Sequence, residues 1–251
     1  MPQNRSVNDH TLRATKKIPR RERLIFALDV PTVAEAKQVT EQLGEAIQFY
    51  KLGLQLFMAG GYFELIDWLK GKGKQVFADL KFFDVPETVK SAVAGLKSRG
   101  VTFATVHGND AILKAAVESG SGVGILAVTV LTSLDRADLD DLGFQCDVES
   151  LVLSRAKRAL QIGCAGVISS GLEAPKLRQH LGQQFLIVSP GIRPVENKLV
   201  EADDQKRVAD VEQAFRNGAD YIVVGRPIRR ATDPRAKAEE IQGTIAKLFT
   251  E

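Results

Sequence analysis

The sequence predicts an α/β fold, a single (β/α)₈ TIM barrel. Three observations carry that reading. The chain has 251 residues, close to the usual size of such a barrel and within the range of one domain. From residue 24 onward, short β-branched or apolar runs alternate with helix-patterned stretches. The runs are near-continuously apolar, as expected of parallel strands buried on both faces.

In chain order, the first strand is expected at residues 24–29, with a helix over 33–43 that stops at Gly44. The second strand falls at 47–51 and its helix at 62–70. A third strand at 75–80 feeds a helix at 87–99, which Gly100 ends. Strand four is read at 102–106 with a helix at 111–119, and strand five at 124–130 with a helix at 151–162 that stops at Gly163. Strand six at 166–168 precedes a helix at 172–180, and strand seven at 185–189 precedes one at 203–217 closed by Gly218. Strand eight at 221–224 and a helix at 234–249 complete the count. Glycine suits these helix ends because it adopts the left-handed conformation freely. An open doubly wound sheet is the alternative, but it wants a glycine fingerprint after strand one. Asp29-Val30-Pro31-Thr32 stands there instead. Long segments at 131–150 and 190–207 follow strands five and seven, on the face where barrel enzymes build their sites.

Apolar residues make up 44% and charged residues 26%, which argues against disorder, collagen and coiled coil. No apolar run approaches the ~20 residues of a membrane span. Two cysteines, Cys146 and Cys164, cannot form a disulfide framework or a cysteine-rich zinc site, so a cytoplasmic location is expected. Residues 1–23 carry seven basic and two acidic side chains, and the remaining 228 residues sum to −2. The head reads as a basic N-terminal extension and residues 24–251 as the catalytic barrel. No apolar h-region follows the basic residues, so the head is not a secretory signal. Nucleic acid and membrane are not expected partners.

Charged residues at strand ends need a reason, because burying a charge is costly unless it is paired. Asp29 ends strand one, Lys51 strand two, and Asp79 and Lys81 strand three, while His107 follows strand four. Asp79 and Lys81 are two apart and face the same side of an extended strand. Asp84 follows three residues later. Alone, each has a plain structural reading: Asp29 suits a turn, Lys51 can snorkel, and Asp84 with Glu87 suits a helix cap. Their joint occurrence at one end of three adjacent strands suits a paired Lys–Asp array better. On the far side, strand eight runs into Gly225-Arg226-Pro227-Ile228, and strand seven into Pro190-Gly191-Ile192-Arg193. Loops after strands seven and eight are the usual barrel phosphate site, where glycine admits close backbone approach and arginine offers a fork.

These residues resemble the orotidine 5′-monophosphate decarboxylase family, bacterial-type branch. The match is carried by Asp79-Leu80-Lys81-Phe82-Phe83-Asp84-Val85-Pro86-Glu87-Thr88, with support from Lys51-Leu52-Gly53, Val106-His107-Gly108 and Val130-Leu131-Thr132-Ser133. The resemblance implies cofactor-free, metal-free conversion of orotidine 5′-monophosphate to UMP and CO₂ by a homodimer. It implies that Asp29 and Lys51 hold the ribose, and that Asp79, Lys81 and Asp84 surround C6, with Lys81 as proton donor. Asp84, Val85 and Thr88 would cross the dimer interface. Thr132 would meet the pyrimidine near Pro190, and Arg193, Gln205, Gly225 and Arg226 would grip the phosphate. His107 is given a supporting role. A magnesium-dependent keto-gulonate phosphate decarboxylase or hexulose phosphate synthase would need an acidic ligand where Lys51 stands. An epimerase would need more strand-end histidines than His107. A non-catalytic nucleotide binder should lack a member of the array, and none is missing.

Overall fold

The eight apolar runs pair in parallel and in sequence order, with the last strand returning to the first to close the barrel. A computed structural model of the chain describes residues 16–192 and 209–249. The strands are β1 (Leu24–Ala27), β2 (Phe49–Gly53), β3 (Gln75–Phe82), β4 (Phe103–Val106), β5 (Gly124–Val128), β6 (Gly166–Ile168), β7 (Leu186–Ser189) and β8 (Tyr221–Val224). The helices are α1 (Val33–Leu43), α2 (Leu54–Met58), α3 (Tyr62–Gly71), α4 (Pro86–Ala94), α5 (Asp110–Val117), α6 (Arg136–Asp141), α7 (Val148–Ile162), α8 (Ala174–Leu181), α9 (Val211–Arg216), α10 (Arg226–Arg229) and α11 (Pro234–Leu248).

The two-residue period of a strand sorts side chains between the lumen and the helix layer. Phe49, Phe77, Phe103 and Tyr221 point inward and pack on one another, with ring centroids 5.5 Å apart for Phe103 and Tyr221 and 5.6 Å for Phe49 and Phe103. Their neighbours Tyr50, Ala78 and Ala104 point outward into the apolar layer under the helices. Counting two residues along from the aromatic layer reaches Lys51, Asp79 and Thr105. The same alternation that fills the lumen therefore sets one polar layer above it, at the C-terminal ends of the strands.

Six of the described helices begin at side-chain caps, where an oxygen accepts an otherwise orphaned backbone N–H. Thr32 caps α1, Asn109 α5, Asp135 α6, Asp147 α7, Asp210 α9 and Asp233 α11. Gly163 ends α7 at φ 96°, a left-handed conformation that a side chain would strain. The expected helix at 87–99 is two pieces, α4 and a short 3₁₀ turn at Lys97–Arg99. Strand β3 is longer than expected and includes Lys81. Helices α2, α6 and α10 have four to six residues each, too short to show a period of their own. Of the helix expected at 203–217, α9 accounts for 211–216, and 203–208 lie outside the described residues.

The basic residues just before β1 lie against the barrel floor. Lys16 Nζ donates to Asp220 Oδ1 and Oδ2 at 2.9 and 2.8 Å and to the Phe185 carbonyl at 2.7 Å. Ile18 packs on the lumen cluster, and Arg23 is buried, donating to the Asp220 carbonyl. No helix among the described residues is long and apolar enough to cross a membrane.

Candidate active site

A cavity of about 630 Å³ opens at the C-terminal end of the strands. Asp29, Lys51, Asp79 and Lys81 line it, together with Thr132, Pro190, Gly225 and Arg226. Charges alternate among the first four. Lys51 Nζ donates to Asp29 Oδ1 at 3.0 Å and lies 3.3 Å from Asp79 Oδ2. Lys81 Nζ donates to Asp79 Oδ1 at 2.9 Å. Gly53 makes room for this row, since a Cβ there would stand 3.3 Å from Asp29 Oδ1 and 3.4 Å from Lys51 Nζ.

The row perturbs its own proton equilibria. Burial alone would push the Asp79 carboxyl up, but the ammonium groups of Lys51 and Lys81 and hydrogen bonds from Lys81 and Thr105 outweigh it and hold the carboxyl below its ordinary value. Burial likewise works against charge on Lys51, but the carboxylates of Asp79 and Asp29 overcome it and keep the ammonium above its ordinary value. Both groups are therefore ionised near neutrality although each side chain is only 12% exposed.

Strand β3 reaches this arrangement through an irregularity. Ala78 pairs with Ala104 and Phe82 with Val106, so β3 spends four residues where β4 spends two. Lys81 takes up the excess at φ 47°, the one side-chain-bearing residue in the left-handed region among those described. Simple alternation placed Asp79 and Lys81 on one side. Their side chains do meet, but across this bulge and not along a regular strand.

Asp84 does not join the row. It is exposed, and its carboxylate accepts from the Val85 backbone N–H at 2.6 Å. Nor does it form the helix cap with Glu87, because the cap position of α4 is Val85, without a side-chain bond. Val85 and Thr88 are also exposed and do not line the cavity. Next in the chain to Asp84, Phe83 is 68% exposed and Val85 63%; Leu54 and Met58 on α2 are exposed as well. His107 contacts Phe83 edge-on at 5.5 Å, and its buried Nδ1 has no hydrogen-bond partner among the described residues. Burial, then the charges of Arg155 and Lys81, lower its pKa. Arg193 and Gln205 lie outside the described residues, in the segment that Ile192 and Ala209 bridge at its base.

Thr105 is a member of the site that sequence reasoning missed. It is fully buried, and its hydroxyl accepts from Lys81 N–H and donates to Asp79 Oδ1, both at 2.9 Å. The available signal was a hydroxyl at an inward position of an otherwise apolar strand. Arg229, Arg230 and Lys237 also line the cavity near Arg226.

Residues 22–241 match the family model described as "Orotidine 5'-phosphate decarboxylase / HUMPS family". The chain belongs to this family. A relative from Methylococcus capsulatus, named orotidine 5′-phosphate decarboxylase, is 64% identical over 236 residues, covering 94% of this chain and 97% of its own length. One of the same name from Xylella fastidiosa is 47% identical, covering 92% of this chain and 94% of its own length. The crystal structure of orotidine 5′-phosphate decarboxylase from Lactobacillus acidophilus superimposes with a TM-score of 0.79 at 34% identity, covering 90% of this chain and 99% of that one. The chain is thus an enzyme, a carboxy-lyase on a TIM barrel, as the sequence motifs implied.

Proposed function

We propose that the chain converts orotidine 5′-monophosphate to UMP and CO₂ in pyrimidine biosynthesis, without a cofactor or metal, as a cytoplasmic homodimer. The observation that carries this is the unbroken row Asp29–Lys51–Asp79–Lys81 in a cavity that Gly225 and Arg226 also line. The row suits a reaction centre and the glycine–arginine pair a phosphate. Asp29 and Lys51 hold the ribose hydroxyls. Thr132 and Pro190 meet the pyrimidine. Gly225 and Arg226, joined by Arg193 and Gln205, take the phosphate.

Breaking the C6–carboxylate bond leaves its electron pair on C6, in the ring plane, where the π system delocalises it poorly. Catalysis must then come from charge that favours the transition state over the ground state. An ammonium about 4 Å from the developing carbanion contributes about 4 kcal/mol at an effective dielectric near 20. Lys81 supplies that charge and then the proton, which passes from Nζ to C6, and solvent restores it. Asp79 orients the Lys81 ammonium through their hydrogen bond and crowds the departing carboxylate. The array is completed by Asp84 from the second subunit. Its exposure here, together with that of Phe83, Val85 and Thr88 beside it, supports delivery across a two-fold interface, with Val85 and Thr88 reaching the partner's substrate.

Residues 24–251 form the catalytic barrel, and 1–23 are an extension whose last eight residues close the floor. The free thiols of Cys146 and Cys164 suit a reducing compartment. The magnesium-dependent alternative is disfavoured by Lys51, whose ammonium sits where that chemistry wants a carboxylate. The test is the loss of orotidylate absorbance with purified protein in EDTA. Full turnover after exhaustive chelation is expected. A strict magnesium requirement overturns the assignment.

A further inference from the structure

The bulge in β3 raises a problem that β4 answers. With four residues of β3 set against two of β4, Lys81 N–H loses its place in the strand ladder. A backbone donor shielded from water and left without a partner is costly. Thr105 sits opposite the bulge, one residue past the Ala78–Ala104 pair, and its side chain points into the lumen two residues beyond Phe103. Its hydroxyl accepts the orphaned Lys81 N–H and donates its own hydrogen to Asp79 Oδ1. Asp79 Oδ1 also receives the Lys81 ammonium. One hydroxyl therefore ties the backbone of Lys81 to the carboxylate that binds the Lys81 side chain.

We propose that Thr105 is a positioning residue for the decarboxylation, holding the Lys81 backbone in its left-handed turn and Asp79 in the rotamer that presents the ammonium to C6. This rests on the function proposed above. Thr105 does not line the cavity and is not assigned contact with substrate. A hydroxyl is required because the group must accept on one side and donate on the other, which valine, of nearly equal shape, cannot do. Misplacing a reacting group by about 1 Å can cost about 100-fold in rate.

The test compares Thr105→Val and Thr105→Ser with wild type. Thr105→Val is expected to lower kcat about 10- to 100-fold with KM changed less than about threefold, because the ribose and phosphate contacts are intact. Thr105→Ser keeps the hydroxyl and should recover most of kcat. The acid limb of kcat/KM gives a second readout. The Thr105 hydrogen bond helps hold the Asp79 carboxyl down, so its loss raises that carboxyl's pKa. The limb should then move to higher pH in Thr105→Val and stay in place in Thr105→Ser. Wild-type kcat in Thr105→Val, or equal losses in both variants, overturns the proposal. If Thr105→Val does not fold, Thr105→Ala removes the same hydroxyl without β-branching, and the same outcomes decide. A wild-type protein inactive on orotidylate would instead overturn the function itself.

Discussion

Lys81 brings its ammonium to the row on a strained backbone. The ammonium shares the Asp79 carboxylate with Lys51, and the backbone adopts φ 47°. A side chain in the left-handed region costs roughly 1–2 kcal/mol. The expected consequence is an inversion of the usual ranking of small residues. Glycine in a strand is ordinarily the less stable choice, but at this position Lys81→Gly should unfold at higher denaturant than Lys81→Ala, by about 1 kcal/mol. Both variants should be nearly inactive, so the comparison separates backbone strain from chemistry. An alanine variant as stable as the glycine one would mean that the turn is not strained.

Among the elements, β6 has no room for a side chain at its first residue. A Cβ on Gly166 in β6 would stand 2.3 Å from the Leu186 carbonyl oxygen at the start of β7. That neighbour is backbone, so the strands themselves must separate. Overpacking of this kind costs about 1–3 kcal/mol, and for a chain of this size about 2–4 °C of melting temperature per kcal/mol. Gly166→Ala is therefore expected to melt about 2–12 °C below wild type. Gly243, inside α11, is the control. A Cβ there meets nothing within 4 Å, and Gly243→Ala should stabilise by about 0.5–1 kcal/mol because alanine loses less backbone freedom in a helix. Thermal melts of the two variants in opposite directions are the expected result.

At the scale of the molecule, one chain gathers only part of the expected catalytic set. Three members of the expected catalytic set, Lys51, Asp79 and Lys81, meet, while Asp84 faces outward among exposed apolar side chains. If Asp84 serves the partner's site, Lys81→Ala and Asp84→Ala homodimers are both nearly inactive, but a mixed dimer holds one site with both residues intact. Random exchange makes about half the dimers mixed, so activity should return to about a quarter of wild type. Activity that stays absent after mixing would place both residues in one chain's site.

The barrel was legible in the sequence because its cause is local. Eight apolar runs with helix-patterned stretches between them have one economical way to bury both faces of their strands. Asp29, Lys51, Asp79 and Lys81 were legible for a related reason, since charge at the end of an apolar strand requires a partner, and the ends of neighbouring strands are where partners lie. The motif from Asp79 to Thr88 added the family, but neighbours in that motif part company in space. Lys81 turns inward and Asp84 outward, because β3 ends between them and the chain leaves the barrel at Pro86. Pairing across strands decided the rest. The bulge at Lys81 exists only by comparison with β4, and a threonine in a strand carries no mark of function until the register sets it opposite that bulge. Local sequence dictates period and burial, and the closed sheet determines which side chain stands across from which.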